Sequence, residues 1–285
     1  MVGTEIINNT KYSMIDRLIL SEDGKTVVGL KELESIEIPE GVTCIESFAF
    51  SDRNKLSHIL LPQSLIQIGA RPFSGCEALK EITIPKNVSA INGNPFIGCS
   101  SLEVIIVDNG NEHFENENGI LYSKNMETLL SVPLKKTLES FDVSERVLFI
   151  GEDAFHGHSK IKRVRLPKHL VSIGHGSFSR CESLEHIIIP DQVVTIEGYA
   201  FGWCWSLQDV VISKSIQCIE KDAFANCGAL NTIKINAIDP RLIKVEAGSF
   251  INLHYKKATL CVPIESLDLY KRHKVFGKFK NITTF

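Results

Sequence analysis

A period of 23 residues constrains this chain more than any other feature. The repeated pattern is Leu-x-x-Ile-x-Ile-Pro-x-x-Val-x-x-Ile-x-x-x-Ala-Phe-x-x-Cys-x-x, and its clearest copy covers residues 184–206. Other regular copies begin at Leu56, Leu79, Ile161 and Leu207, and a less regular copy begins at Leu33. One such unit buries too little apolar surface to offset the entropy lost when its backbone is ordered. We therefore predict that the copies stack into one continuous solenoid.

Each position of the repeat has a structural interpretation. The Ile-x-Ile pair alternates with the period of a β-strand, and the following Pro ends that strand because it has no N–H to donate. The Val-x-x-Ile pair is predicted to form the opposite wall, and Ala-Phe to lie on a short turn or helical segment. Five cysteines, Cys76, Cys99, Cys181, Cys204 and Cys227, share one slot. A residue type locked to the repeat indicates a small buried hydrophobe, and no Cys-x-x-Cys of a zinc site occurs.

The departures from the period predict caps and an insertion. Asp23-Gly24 favours a hairpin turn between residues 17–20 and 26–30. After Leu102 the next start, Leu138, comes 36 residues later instead of 23, and two apolar runs (120–122 and 129–132) predict a hairpin in the surplus. The insertion either extends a binding face or merely covers an irregular repeat. The predicted organisation is a β-hairpin N-terminal cap (1–32), repeats one to four (33–107), a hairpin insertion (108–133), repeats five to nine (134–257), and a last strand with a helical C-terminal cap (258–285).

Composition excludes several classes of partner. The chain has 31 Lys and Arg against 34 Asp and Glu, so it lacks the positive excess of a nucleic-acid binder. No run of 18 apolar residues predicts a membrane span. Residues 1–11 lack the basic and then apolar pattern of a secretion signal, so we expect either an intracellular protein or a leader removed before this chain begins.

The repeat closely resembles that of the BspA-like leucine-rich repeat family of bacterial and protist surface proteins. The Leu-x-x-Ile-x-Ile-Pro and Ala-Phe-x-x-Cys elements carry the resemblance from Leu33 to Cys261, and residues 119–124, 259–263, 266–270 and 279–282 are similar to the family too. The resemblance implies an α/β repeat protein, a curved right-handed solenoid with a parallel β-sheet on its concave face and turns or short helices on the other. It also implies a link to the cell surface and to adhesion.

Two columns of residues are predicted to face outward from the sheet, two and four positions after each leading Leu or Ile. They bring Asp142, Arg163, Arg165 and His186 together near the middle of the sheet. One interpretation is an anion or glycan site, because Arg forks onto carboxylates and sulfates. The alternative is an ordinary solvated face with a cross-strand Asp142–Arg165 pair worth about 0 to 1 kcal/mol.

Apolar members of the same columns predict a protein-binding surface instead. These residues are Leu60, Val104, Ile106, Ile188 and Val211. β-branched residues also simply favour strands, so the pattern alone leaves both interpretations open.

Nothing in the sequence predicts an enzyme, a cofactor or a bound metal. His156-x-His158 lacks a third ligand, and motifs for phosphate, dinucleotide, zinc-protease or serine-hydrolase sites are absent. Trp203 and Trp205 bracket a core position, so at least one of them should be exposed and could stack on a sugar. Three hypotheses remain: an adhesin-like module that binds a protein, a carbohydrate or anion binder using Arg163, Arg165 and a tryptophan, and a structural spacer in a larger assembly.

Overall fold

Each coil of the repeat contains a pair of short strands. The structure is a computed structural model that describes residues 3–7, 10–15, 18–31, 33–136 and 139–285. Leu138 and Arg17, predicted to begin a repeat and a hairpin strand, lie outside these residues. The chain divides into two compact units, Met1–Lys136 (unit 1) and Thr137–Phe285 (unit 2).

Unit 1 begins with an antiparallel meander and continues with parallel strands. Strands β1 to β4 pair antiparallel in sequence, and β3 and β4 are joined around Asp23-Gly24. Strand β4 then pairs parallel with β6, which starts a sheet continued by β8 and β10. The Ile-x-Ile strands form parallel pairs one repeat apart, β5 with β7 and β9 with β11. The strands are β1 (Gly3–Ile7), β2 (Thr10–Ile15), β3 (Leu18–Leu20), β4 (Thr26–Leu30), β5 (Ser35–Glu37), β6 (Cys44–Ile45), β7 (His58–Leu60), β8 (Gln67–Ile68), β9 (Glu81–Ile84), β10 (Ala90–Ile91) and β11 (Val104–Val107).

The segment after β11 is a three-stranded antiparallel meander. Its strands are β12 (Phe114–Glu117), β13 (Ile120–Ser123) and β14 (Thr128–Ser131). Strand β13 pairs with both neighbours, so β12 adds a strand that the sequence interpretation did not include. The turn between β12 and β13 lies along β11: the Ile105 N–H donates to the Gly119 carbonyl at 3.0 Å, and the Val107 N–H donates to Asn116 Oδ1 at 2.8 Å. The insertion therefore provides hydrogen-bond acceptors for two backbone N–H groups at the edge of β11.

Unit 2 contains two parallel sheets. The first joins the Ile-x-Ile strands in the order β15–β17–β19–β21–β23–β25–β26, and the second joins β16–β18–β20–β22–β24. The opposite wall predicted from Val-x-x-Ile is thus itself a sheet, made of two-residue strands. The strands are β15 (Ser140–Asp142), β16 (Phe149–Ile150), β17 (Arg163–Arg165), β18 (Ser172–Ile173), β19 (His186–Ile188), β20 (Thr195–Ile196), β21 (Asp209–Ile212), β22 (Cys218–Ile219), β23 (Thr232–Ile235), β24 (Lys244–Val245), β25 (Thr259–Val262) and β26 (Asn281–Thr284).

Helix is scarce, which corrects the α/β class. The Ala-Phe segments of the coils are turns, and the α-helices of the described residues are α1 (Asn252–Lys257) and α2 (Leu267–Arg272), each of six residues. Short 3₁₀ turns cover Lys124–Met126, Pro240–Leu242, Ile264–Ser266 and Phe276–Lys278. The fold is therefore a solenoid built mostly of parallel β-strands. The right-handed winding, the concave face and the capping roles of the two ends stay predictions.

A ladder of phenylalanines runs through the core of each unit. In unit 2 the rings of Phe155, Phe178, Phe201 and Phe224 are fully buried, and successive rings stack with centroids 4.9 to 5.4 Å apart. Unit 1 repeats this arrangement with Phe50, stacked 5.4 Å from Phe73. The rings of successive coils bury one another, which is why the coils within a unit stack rather than fold alone.

The cysteine slot has a polar role as well as an apolar one. In each of five coils the thiol donates to the carbonyl oxygen of the Phe 26 residues earlier, for example Cys227 to Phe201 at 3.0 Å. Burial raises the pKa of Cys227 to about 12, so the thiol keeps the proton it donates. Cysteine fits this slot because it is small and apolar yet still carries a weak donor.

Candidate functional site

The outward side of the Ile-x-Ile sheet in unit 2 carries the predicted polar cluster. Strands β17 and β19 both alternate exposed, buried, exposed along their three residues. Because Val164 and Ile187 point into the core, Arg163 and Arg165 face outward, as do His186 and Ile188. In register, Ser140 and His186 flank Arg163 on the adjacent strands.

These side chains line an open groove with a volume of about 1270 Å³, here called the unit 2 groove. Its apolar floor includes Ile188, which is 67% exposed, and Val194. Its charged rim includes Arg163, Arg165 and Lys168. Ile188 is one of several exposed large apolar side chains among the described residues, and both acidic and basic side chains line the groove around it.

Arg165 is already engaged by two carboxylates. Its Nη2 lies 3.2 Å from Asp142 Oδ2 on the neighbouring strand, and its Nη1 lies 3.1 Å from Glu145 Oε1. The pKa of the Arg165 guanidinium is raised. The largest cause is the hydrogen bond to Asp142, the next is the negative charge of that carboxylate, and the hydrogen bond to Glu145 adds to both. The cross-strand pair weighed in the sequence analysis is therefore present. Both forks of Arg165 are occupied, so it is a poor anchor for an additional anion.

Two further ion pairs border the groove. His186 Nδ1 lies 2.8 Å from Asp209 Oδ2 on the next strand, and Lys214 Nζ lies 3.1 Å from Asp191 Oδ2. The predicted neighbours therefore lie on one surface: Asp142, Arg163, Arg165 and His186. Arg165 and His186 are each paired with acidic residues, and Arg163 is not.

Two cations of the groove have no such partner. Within the described residues, neither the Arg163 guanidinium nor the Lys168 ammonium makes an ion pair or a side-chain hydrogen bond, and both side chains are exposed. The groove thus offers one apolar contact at Ile188 and two uncommitted positive charges near it.

The predicted apolar residues fall in both units. Val211 lies opposite Ile188 in register and is half-buried. In unit 1, Leu60 is 64% exposed in a smaller groove of about 550 Å³ that Glu37 and Glu81 also line. Ile106 is exposed. Val104 is half-buried because Gly119 of the insertion packs closely against it: a Cβ added to Gly119 would lie 2.9 Å from Val104 Cγ2. The insertion therefore covers part of the column in unit 1.

Lys168, Asp191 and Lys214 were not among the predicted site residues. Each lies in the turn that follows an Ile-x-Ile strand, one residue after Pro167, Pro190 or Ser213. A signal for them exists in the sequence: the residue after the conserved position of Pro in the repeat forms a third outward column.

Trp203 and Trp205 lie outside the groove lining, in the turns between β20 and β21. The hypothesis that joined Arg163 and Arg165 with a tryptophan in one site therefore has no support from the groove. Across the described ranges, no group of three or more His, Cys, Asp or Glu side chains is arranged to hold a metal ion. Neither of the two α-helices described is long and apolar enough to cross a membrane.

Comparison with protein families gives one match, to the BspA type leucine rich repeat region. Six copies of this repeat cover residues 28–129 and 134–268. A search of curated proteins finds no match.

Comparison with solved structures finds several bacterial proteins of similar fold. The pneumococcal vaccine antigen PcpA superposes with a TM-score of 0.74 at 24% identity, over 89% of this chain and 68% of that one. A leucine-rich repeat protein from Eubacterium ventriosum gives 0.63 at 16% identity, over 99% and 93% of the two chains. A leucine rich cell surface protein from Faecalibacterium prausnitzii gives 0.59 at 28% identity over 72% of this chain, which spans 60% of that protein.

Proposed function

The chain belongs to the BspA type leucine-rich repeat family, and on that premise we propose that it is a non-catalytic interaction module that binds another protein through the unit 2 groove. The observation that carries this proposal is the exposure of Ile188 in a groove that the uncommitted cations Arg163 and Lys168 also line. A partner segment that buries an apolar side chain on Ile188 and places a carboxylate near Arg163 or Lys168 matches the groove in shape and charge.

The ion pairs around the groove support binding by a protein segment rather than by a single anion. Arg165 is held by Asp142 and Glu145, and His186 contacts Asp209, so the rim alternates in sign. Such alternation selects partners by pattern, because a mismatched charge opposite the rim is repelled. A small sulfate or carboxylate would find only Arg163 and Lys168 free.

A role at the cell surface, in adhesion, extends the proposal. Its support is the family itself and the similarity to the surface protein of Faecalibacterium prausnitzii. A right-handed solenoid with this sheet on its concave side would present the groove along the inner face, as the family resemblance implies.

The proposal is tested by capture experiments with single charge insertions. Immobilised wild type is compared with Ile188→Glu and with Ile238→Glu, which alters another exposed isoleucine of unit 2 outside the groove. Proteins from a cell-surface extract are quantified after washing. We expect partners that wild type and Ile238→Glu retain equally and that Ile188→Glu loses at least about tenfold, as for a central interface residue. Equal retention by all three would refute binding through the groove.

Anion binding is the second candidate. The observation that favours it is that the Arg163 guanidinium makes no ion pair within the described residues. Titration with sulfate and with a dicarboxylate, followed by calorimetry, distinguishes it from protein binding. Saturable binding that Arg163→Ala abolishes and Ile188→Ala preserves would support it. Absence of binding in both the capture experiment and the titration would favour the hypothesis of a structural spacer.

A further inference from the structure

The turns of unit 2 reuse two left-handed backbone positions in successive coils. The residue two before the buried Phe and the residue two after it both have positive φ. The first position holds Asp153, Gly176, Tyr199, Asp222 and Gly248, and the second holds Gly157, Arg180, Trp203 and Asn226, with φ between 53° and 81°. Gly, Asn and Asp adopt this conformation most readily.

The coil 184–206 departs from its neighbours in having a bulky aromatic residue at both positions. Tyr199 has φ of 54° and Trp203 has φ of 59°. The coils on either side have Gly176 and Asn226 at these slots, so the turn itself does not require aromatic residues. Bulky residues in the left-handed region are genuine outliers, and such outliers concentrate at functional sites.

The two aromatic rings form a stack on the surface of the turns. Tyr199 and Trp203 lie with ring centroids 5.6 Å apart and planes 12° from parallel. The Arg180 guanidinium lies 5.6 Å from the Trp203 centroid, on the preceding coil, and His175 meets the edge of Tyr199. The hydrogen bond from the Tyr199 hydroxyl to Asp222 fixes the other end. The stack is therefore held rigidly from both neighbouring coils.

Trp205 follows Trp203 by two residues in the same turn and is left open. It is 52% exposed, and within the described part of the chain its ring makes no aromatic or cation–π contact. The adjacent coil has Gly228 at the equivalent position, and a Cβ there would find no atom within 4 Å. Space for a ligand thus lies next to the indole.

The surroundings favour a carbohydrate over a protein. No exposed aliphatic residue of the described chain lies on these turns beside Trp205, so the contiguous apolar area of a protein interface is missing. His175, Arg180 and Glu182 supply hydrogen-bonding groups at the border instead. A pyranose ring has an apolar face that packs on an indole and hydroxyls that need such partners.

We propose that the exposed indole of Trp205, in the coil that also carries the Tyr199–Trp203 stack, binds a pyranose-containing oligosaccharide, separate from the unit 2 groove. Trp205 is the stacking surface. Tyr199 and Trp203 are positioning residues, because their stack fixes the start of the segment that carries Trp205. Arg180 and Glu182 contact the hydroxyls.

Intrinsic fluorescence tests the proposal directly, because Trp203 and Trp205 are the two tryptophans of the chain. The full chain is titrated with soluble oligosaccharides of glucose, mannose, galactose and N-acetylglucosamine while tryptophan emission is recorded. We expect a saturable change in emission with at least one sugar series. No saturable change with any of the four would overturn the proposal.

Variants that copy the neighbouring coils locate the site without breaking the fold. Trp205→Ala should weaken the affinity measured by calorimetry at least about tenfold. The pair Tyr199→Gly and Trp203→Asn, which restores the residue types of adjacent coils, should fold and also weaken binding. Phe149→Ala, which changes an exposed aromatic residue on β16, is the matched control and should bind like wild type. Wild-type affinity in Trp205→Ala, or equal loss in Phe149→Ala, would contradict the assignment.

Discussion

The thiol of Cys204 donates to the carbonyl oxygen of Phe178 across 3.2 Å, and the two residues lie 26 positions apart in the chain. The same contact recurs in four other coils. Each contact joins one coil to the preceding one at the level of the phenylalanine ladder. The repeat is thus held by a polar link as well as by apolar packing.

Replacing Cys204 should therefore destabilise the protein even when the substitute is apolar. Cys204→Ala removes the donor, leaves the Phe178 carbonyl unpaired and opens a small cavity, which together cost about 1 to 3 kcal/mol. Cys218→Ala is the control, because that thiol is half-buried and makes no such hydrogen bond within the described residues. Urea unfolding measures both, and an equal effect of the two substitutions would show that the link contributes nothing.

Phe48 offers a stabilising substitution. It is 56% exposed and has φ of 62°, a conformation that costs an ordinary side chain about 1 to 2 kcal/mol. Phe48→Asn should raise the free energy of unfolding by about 1 kcal/mol, because Asn tolerates this region. Ile66→Asn, at an exposed residue outside the positive-φ set, should give no gain. A fall in stability for Phe48→Asn would mean that its ring makes a contribution larger than the strain.

Stability should fall as the pH decreases through the range below 6.5, in part because of His254. Burial lowers the pKa of this imidazole from its usual 6.5, although its contact with the Cys227 carbonyl opposes the shift. Its Nε2 lies 2.9 Å from that carbonyl oxygen and must donate, while Nδ1 accepts from the Ile251 N–H. A second proton on Nδ1 would face that donor, so the folded state favours the neutral ring.

The direction of this pH dependence follows from the pKa of His254 in the folded and in the unfolded chain. Between the lowered pKa of the folded state and 6.5, the unfolded chain binds more protons, so acidification favours unfolding. His254→Asn should flatten this dependence in urea titrations at several pH values, and His273, whose pKa burial also lowers, should leave a residual slope. An unchanged slope in His254→Asn would exclude the assignment.

The ion triad of the groove should contribute little to stability. Arg165 and its two carboxylates are all exposed by more than half, so Arg165→Ala should leave the midpoint of urea unfolding almost unchanged. Any shift of the midpoint should vanish at about 1 M salt, where the Debye length is about 3 Å. A larger loss that persists in high salt would indicate that Arg165 has a structural role in the sheet.

Much of the fold could be predicted because the period repeats the same physics in every coil. The Ile-x-Ile strands, the buried Phe and the Cys slot all follow from alternation and spacing. Strand β12 was missed because Phe-Glu-Asn-Glu has one apolar residue and pairs through its backbone. Of the two alternatives expected at Ala-Phe, a short turn or a helical segment, the structure has the turn, with positive φ at glycines 75, 98 and 157.

The outward columns of the site and one of its contacts, the Asp142–Arg165 pair, were predictable from the sequence, and the other contacts were not. Register along β17 and β19 placed Arg163, Arg165 and His186 on one surface. The link from Arg165 to Glu145 was missed because Glu145 lies in the turn after β15, in the third outward column and outside the two columns considered in the sequence analysis. The same reasoning explains why the two free cations, Arg163 and Lys168, are recognisable only after the pairs around them are known.

Photo-crosslinking at Ile188 tests the central claim most directly. A benzophenone amino acid at position 188, compared with the same group at the exposed Ile238, is irradiated in the presence of a cell-surface extract. We expect a discrete protein crosslinked through position 188 and absent at position 238, with the yield reduced at least about tenfold by Arg163→Glu and Lys168→Glu together. Identical crosslinking patterns at positions 188 and 238 would contradict binding through the groove.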